Sequence, residues 1–110
     1  MLKNDIIRLR HIFDAANQAV KFCSGRSRDD LDTDDMLSLS LIRLLEIIGE
    51  SAKAVSIEYR ESHPEISWRK MSGMRDKLIH QYYDVNLDIV WETVTDDLPP
   101  LIKQLGNILI

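Results

Sequence analysis

The sequence predicts an all-α protein, an up-and-down bundle of four to five helices. Apolar residues recur three and four positions apart along nearly the whole chain, and no stretch alternates for long enough to indicate a β-strand. The chain has 110 residues, of which 45% are hydrophobic, and it contains only four glycines and three prolines. This composition predicts one compact domain spanning residues 1–110, with a modest core.

The first two helices are predicted from apolar spacing and from a polar stretch between them. One amphipathic helix carries the apolar positions Leu2, Ile6, Leu9, Phe13, Ala16 and Val20. It closes before "SGRSRDDLDTD", whose composition is typical of a loop. Asp34 or Asp35 can then cap a second helix, which we expect to continue to about Tyr59.

The remaining helices are predicted from proline and capping residues. The segment "ESHPEIS" interrupts the pattern, because the residue before Pro64 is pushed out of helical geometry. Ser67 is a suitable N-cap for a third helix that reaches about Tyr83, and a fourth helix starts at Asn86. The two prolines of "DDLPPL" must end or kink that helix, and a last helical segment then runs to the C-terminus.

The second helix carries more apolar surface than one core requires. Its main stripe consists of Leu37, Leu41, Leu44, Leu45, Ile48, Ala52 and Val55. Leu39, Ile42 and Ile47 lie on another side of the helical wheel. Either the bundle buries this helix more deeply than its neighbours, or the second face forms a symmetric homodimer.

Charge and composition exclude several classes of protein. The net charge of -4 argues against a broad electrostatic surface for nucleic acid, so a polyanion would have to be bound at a local site. The single cysteine, Cys23, excludes an internal disulfide framework. No apolar run approaches the roughly 20 residues that cross a bilayer, and the N-terminal stretch lacks the pattern of a secretory signal. We therefore expect a soluble, cytoplasmic protein.

The stretch "MRDKLIHQYY" contains the residues with the greatest chemical interest. On a helical wheel, Arg75 falls in the middle of an apolar arc formed by Met71, Met74, Leu78, Ile79 and Tyr82. An unpaired guanidinium there would cost several kcal/mol, roughly, so it requires an anionic partner. That partner is either a carboxylate of the second helix, Glu46 or Glu50, or a phosphate bound at an interface.

His80 can transfer protons near neutral pH, because an imidazole has an unperturbed pKa of about 6.5. On a straight helix it lies about 140° around from Arg75, so the two do not share a face. Both can reach one ligand if the helix ends near His80, if Arg75 reaches around, or if a second copy brings its own motif alongside. Tyr82 offers a phenolic hydroxyl that can donate a hydrogen bond or be modified.

These residues resemble a known family. "RDKLIHQY" matches the R-x4-H-x-Y signature of HepT-like ribonuclease toxins of the HEPN superfamily, and Asp76 fits the preference of that superfamily for a polar residue after the arginine. The stretches "EIIGESAK", "HPEISWRKMSGMRDKLIHQYYDVN" and "VWETVTDDLPPL" also resemble members of the family, in the same order. The similarity covers most of residues 40–101.

The resemblance implies an HEPN-like bundle that dimerises so that two motifs face each other and cut RNA without a metal ion or cofactor. It assigns catalysis to Arg75 and His80 and supporting roles to Asp76 and Tyr82. It also implies a partner, a minimal nucleotidyltransferase antitoxin that transfers AMP to Tyr82. The alternative is a non-catalytic helical module that docks such a nucleotidyltransferase and uses Arg75 only for a salt bridge.

The other candidate residues have simpler interpretations. His11 and His63 have no histidine or cysteine at ligand spacing, so we predict no metal site and interpret both as surface residues. The aspartates of "DDLDTDD" lack the glycine and the closing glutamate of a calcium loop, so capping and solvation explain them better. Cys23 is interpreted as a small buried or half-buried apolar residue, and Trp68 and Trp91 as core residues.

Overall fold

The computed structural model describes residues 3–81 and 84–109, without the side chains of residues 75 and 79–81. The described elements are α1 (Lys3–Cys23), α2 (Asp30–Thr33), α3 (Asp35–Ala54), α4 (Ile57–Ser62), α5 (Trp68–Ser72), α6 (Met74–Leu78), β1 (Ile79–Gln81), β2 (Asp84–Val85), α7 (Leu87–Glu92), a π-helical turn (Thr93–Asp97) and α8 (Leu98–Leu109). The predicted all-α class is confirmed. The short pairing of β1 with β2 was not predicted.

The core lies where α1 packs against α3 and α8, with α5 and α6 closing its other side against α3. Its fully buried large side chains include Leu9, Ile12, Leu41, Leu45, Ile48, Leu78, Leu98 and Leu105. The apolar stripe predicted for the second helix faces this core. The buried side of α1 is rotated from the predicted stripe, since Ile6 is 42% exposed while Ile12, Ala15 and Ala19 are buried. Within the described part of the chain, no helix is long and apolar enough to cross a membrane.

The second predicted helix has the expected start and an earlier end. The Asp34 side chain accepts a hydrogen bond from the Leu37 N–H and so caps α3, as predicted. The helix ends at Ala54, however, so its expected continuation to Tyr59 is wrong. Val55 has extended backbone (φ -69°, ψ 139°) and is buried in the core, and a separate short helix follows it.

A buried carboxylate explains why the chain turns at this point. The Ser56 N–H donates to Asp5 Oδ1 at 2.8 Å, and the Ser56 hydroxyl donates to Asp5 Oδ2 at 2.7 Å. The same hydroxyl oxygen accepts a hydrogen bond from the Tyr59 N–H and thereby caps α4. The bond from the Ser56 amide, and then the one from its hydroxyl, lower the pKa of Asp5 below its ordinary value. Asp5 thus joins the start of α1 to the junction between α3 and α4.

We expect the Asp5→Asn variant to lose about 1–3 kcal/mol of unfolding free energy at neutral pH, because a buried acceptor is replaced by a donor. Since folding lowers the pKa of this carboxyl, its contribution is complete above the unfolded value of about 3.9 and declines as the pH falls below it. Urea titrations between pH 7 and pH 3, with the exposed Asp14→Asn as control, should show the difference shrinking below about pH 4. A constant difference across this range would contradict the assignment.

The third predicted helix starts at the expected position but ends earlier than predicted. Ser67 precedes the first helical residue, Trp68, although the Ser67 side chain makes no capping hydrogen bond. The helix is interrupted at Gly73 and ends at Leu78, so the predicted end near Tyr83 is wrong. Tyr83 itself lies outside the described residues.

The fourth predicted helix starts at Asn86 as expected, and the Asn86 side chain caps it by accepting a hydrogen bond from the Ile89 N–H. The chain does not stop at the prolines but passes through the π-helical turn into α8. There the Leu98 N–H donates to the Thr93 carbonyl, one residue further back than in an α-helix. Pro99 and Pro100, which lack N–H groups, occupy the first turn of α8, where missing donors cost least.

Candidate active site

The motif arginine is carried by α6, a short helix with one buried side. Met74 and Leu78, four residues apart, are 4% and 0% exposed and fix α6 to the core. Asp76 and Lys77 are exposed. The helix packs against α3 and α7. The backbone position of Arg75 is therefore fixed beside the core, while its side chain lies outside the description.

The chain reverses direction directly after α6. Strand β1 pairs antiparallel with β2, with Ile79 opposite Val85 and Gln81 opposite Asp84. The Asn86 N–H donates to the Leu78 carbonyl at 2.9 Å, which closes the reversal at the start of α7. His80 thus lies on a strand of this reversal and not on a helix.

This reversal corrects the helical-wheel argument. The separation of about 140° assumed a straight helix through His80, whereas α6 ends two residues before it. A helix end near His80 is present, which is the condition for the first of the three predicted routes by which Arg75 and His80 could reach one ligand. The side chains of both residues, and all of Tyr82, lie outside the description.

The prediction of one continuous apolar arc around Arg75 is also wrong. Its five members are divided among α5 (Met71), α6 (Met74 and Leu78), β1 (Ile79) and the part of the chain outside the description (Tyr82). Of the two proposed carboxylate partners, Glu50 lies 3.6 Å from Arg43 Nη1 in an ion pair exposed to solvent. Glu46 is half-buried on α3.

A glycine in α3 allows α5 and α6 to approach closely. A Cβ at Gly49 would lie 3.1 Å from the Met71 carbonyl oxygen and 4.0 Å from the Met74 Cβ. The absence of a side chain therefore sets the distance between α3 and the junction that leads into the motif helix. This role of Gly49 was not predicted, although a glycine inside a helical pattern is a signal for close packing.

We expect Gly49→Ala to lower the unfolding free energy relative to Gly106→Ala, although both replacements favour a helix by about 1 kcal/mol. At Gly106, the added Cβ would meet Phe13 Cε1 at 3.5 Å, an ordinary contact. At Gly49, the contact with a backbone oxygen forces a shift that typically costs about 1–3 kcal/mol. Urea unfolding of both variants measures the difference. Equal unfolding free energies of the two variants would show that the α5–α6 junction can shift without a cost in stability.

The other candidate residues are placed mostly as predicted. Cys23 is buried, and burial raises the pKa of its thiol. Trp68 is buried and Trp91 is half-buried against the core, whereas His11 is exposed. The surface interpretation of His63 is wrong, because its ring is half-buried and stacks on Tyr59 with 4.1 Å between ring centroids.

The aspartates of "DDLDTDD" include the predicted cap of α3, Asp34, and they also form surface ion pairs that were not predicted. Arg26 contacts Asp30 at 3.2 Å and Asp34 at 2.7 Å. Asp30 also accepts a hydrogen bond from the Ser27 N–H. That backbone bond, followed by the one from Arg26, lowers the pKa of Asp30. Among the described residues, no group of three or more histidine, cysteine, aspartate or glutamate residues is placed to hold a metal ion.

Comparison with known proteins extends the resemblance to almost the whole chain. The family model "Ribonuclease HepT-like" matches residues 12–108, from the middle of α1 to the last turn of α8. The chain belongs to the HepT-like ribonuclease family. Its motif segment, from α6 through the reversal, lies inside the matched region.

Curated relatives of this HepT-like chain carry ribonuclease names. "Putative RNase TTE0752" of Caldanaerobacter subterraneus subsp. tengcongensis is 42% identical over 92% of this chain and 90% of its own length. "Probable ribonuclease HepT" of Thermococcus cleftensis is 40% identical over 84% of each chain. "Gamma-glutamylcyclotransferase and putative RNase MJ0434" of Methanocaldococcus jannaschii is 35% identical, and this chain spans only 49% of its length. No match to a solved structure was found.

Proposed function

We propose that this protein is a metal-independent endoribonuclease and the toxin of a toxin-antitoxin system. The observation that carries the proposal is the intact R-x4-H-x-Y motif at residues 75–82, in a chain that belongs to the HepT-like ribonuclease family. We also propose that the protein is cytoplasmic and that residues 1–110 form a single domain.

The proposed reaction is an internal transesterification of RNA. The ribose 2′ oxygen loses its proton and bonds to the adjacent phosphorus, and the P–O5′ bond breaks as the 5′ oxygen takes up a proton. His80 moves a proton in this step, and Arg75 stabilises the charge on the non-bridging oxygens. The products are a 2′,3′-cyclic phosphate end and a free 5′ hydroxyl.

The described backbone supports a shared site for the two catalytic residues. Because α6 ends at Leu78, the chain is already turning back when it reaches His80. Asp76 lies beside Arg75 in the first turn of α6 and is exposed, where we propose that it has a supporting role.

Incubation of the purified protein with total RNA in EDTA tests the function. Cleavage that leaves cyclic phosphate ends supports the proposal, and activity that appears only with added magnesium contradicts the metal-free mechanism. Growth arrest on expression of the chain alone supports the toxin role. An inert protein that still binds a nucleotidyltransferase would instead indicate a non-catalytic docking module.

We also propose that the protein forms an isologous homodimer through the outer side of α3. Met36 and Leu39 are 81% and 65% exposed there. A groove of about 460 Å³ beside them is lined by Gln18, Phe22, Leu39, Ser40, Arg43 and Leu44. Ile42 and Ile47, assigned to the same face from sequence, are half-buried against the core of their own chain. The exposed apolar surface is therefore centred nearer the start of α3 than the sequence suggested.

Leu39→Lys is expected to weaken the dimer by at least about tenfold, because it places a charge in the apolar contact of both copies. The monomer fold should persist, since this side chain is mostly exposed and lysine favours a helix. Ile57→Lys is a matched control, because Ile57 is also 65% exposed but lies on α4. Sedimentation velocity at micromolar concentration measures both. A monomeric parent protein would refute the proposed dimer.

The proposed partner is a minimal nucleotidyltransferase that inhibits the toxin by modifying Tyr82. In this reaction the phenolic oxygen bonds to the α-phosphorus of ATP, pyrophosphate leaves and the phenolic proton is released. The added AMP brings bulk and negative charge two residues from His80. This would block the approach of an RNA phosphate.

A further inference from the structure

We infer that the groove between α4 and α5 binds a backbone phosphate of the RNA next to the one that is cut. The inference rests on the proposed ribonuclease function. The groove, of about 480 Å³, is lined by Ile57, Arg60, Glu61, Trp68, Arg69 and Ser72. The two helices that form the groove, α4 and α5, directly precede the motif helix α6 in the sequence.

The two arginines of the groove lack partners among the described residues. Arg60 Nε is enclosed by protein atoms and has no hydrogen-bond partner there. Neither Arg60 nor Arg69 forms an ion pair with any residue that the structure describes, whereas Arg26 and Arg28 each contact two aspartates. The Arg60 side chain lines the groove and is only half-buried overall, so a phosphate there would accept charge-assisted hydrogen bonds from the terminal nitrogens of Arg60 and Arg69 and not from the enclosed Nε.

The groove is placed to hold the same RNA strand as the motif. Arg69 precedes Arg75 by six residues, and the two lie on the consecutive helices α5 and α6. The Gly73 N–H donates to the Arg69 carbonyl at 2.9 Å and connects the end of α5 with α6. Ser72 lines the groove at that end. A strand cut beside Arg75 would therefore bring a neighbouring phosphate to Arg69.

The chemistry of the groove favours the RNA backbone over the bases. Trp68 is only 9% exposed, and its indole N–H already donates to the His63 carbonyl at 2.9 Å, so it offers no stacking surface. Glu61 also lines the groove and reduces its positive potential. We therefore expect a contact that is independent of sequence and moderate in strength. In a protein with net charge -4, such a local site would supply part of the affinity for RNA.

The test measures binding of a 2′-O-methyl oligoribonucleotide, which lacks the attacking hydroxyl, by fluorescence anisotropy over a range of salt concentrations. Each lost phosphate contact lowers the slope of log Kd against log salt by about 0.7 for a single strand, so Arg60→Gln with Arg69→Gln should lower it by about 1.4. Lys103→Gln, an exposed cation on α8, should leave the slope unchanged. With cleavable RNA, the double variant should raise KM while kcat stays within about twofold.

An unchanged salt slope and KM in the double variant would overturn the groove inference, while cleavage by the parent protein would leave the proposed function intact. A parent protein that binds the oligonucleotide through the arginines but never cuts RNA would support the groove and contradict the ribonuclease function. Failure of the parent protein to bind the oligonucleotide at low salt would overturn the inference directly.

Discussion

Alanine in place of His80 is expected to lower the rate of RNA cleavage at least about a hundredfold, as is typical for loss of a group that transfers a proton in the transition state. Arg75→Ala should have an effect of similar size, because the guanidinium would stabilise charge that develops on the phosphate oxygens. Both variants should remain folded. His80 lies on a short strand, and Arg75 lies between the anchoring residues Met74 and Leu78, which are kept.

The measurement compares initial rates in EDTA, with circular dichroism to verify the fold and end-group analysis to detect the cyclic phosphate. His11→Ala is the matched control, since this histidine is exposed on α1, outside the motif. Normal cleavage by the His80 variant would show that His80 has a structural role and does not take part in catalysis. Loss of activity in Arg75→Ala together with loss of helical signal would instead favour the salt-bridge role of the arginine.

Co-expression with a nucleotidyltransferase encoded beside this chain is expected to place an adenylyl group on Tyr82 and to abolish cleavage. Because Tyr82 follows His80 by two residues in the sequence, we expect the attached phosphate to occupy the region that the RNA phosphate needs. Mass spectrometry of the peptide containing "LIHQYYDVN" locates the modification.

Tyr82→Phe should remain toxic in the presence of the partner, whereas Tyr83→Phe should still be modified and inhibited. A fully inhibited complex with an unmodified peptide would show that the partner acts by occlusion. Modification of Tyr83 alone would contradict the assignment of the motif tyrosine.

Local sequence signals located most of the helices. Capping by Asp34 or Asp35 and a helix start at Asn86 were predicted. Asp34 and Asn86 are the caps, because a short polar side chain at a helix start satisfies a nearby backbone N–H. The end of the second predicted helix was placed too late, because it depends on a hydrogen bond between Ser56 and Asp5, 51 residues apart. No local pattern contains that contact.

For the candidate site as well, some features could be predicted from the sequence and others depended on tertiary contacts. The sequence by itself determined which residues form the motif and that the chain belongs to the HepT-like ribonuclease family, because both depend only on residue identity and order. It predicted one long helix through the motif, since the apolar spacing continues past Leu78. Only the tertiary structure decided that α6 ends at Leu78, because the Leu78 carbonyl accepts a hydrogen bond from the N–H of Asn86, eight residues ahead. The close packing of the α5–α6 junction against α3 at Gly49 was likewise decided by the tertiary structure. Helical periodicity records which side of a segment is apolar and carries no information about which distant group satisfies the last carbonyl of a helix.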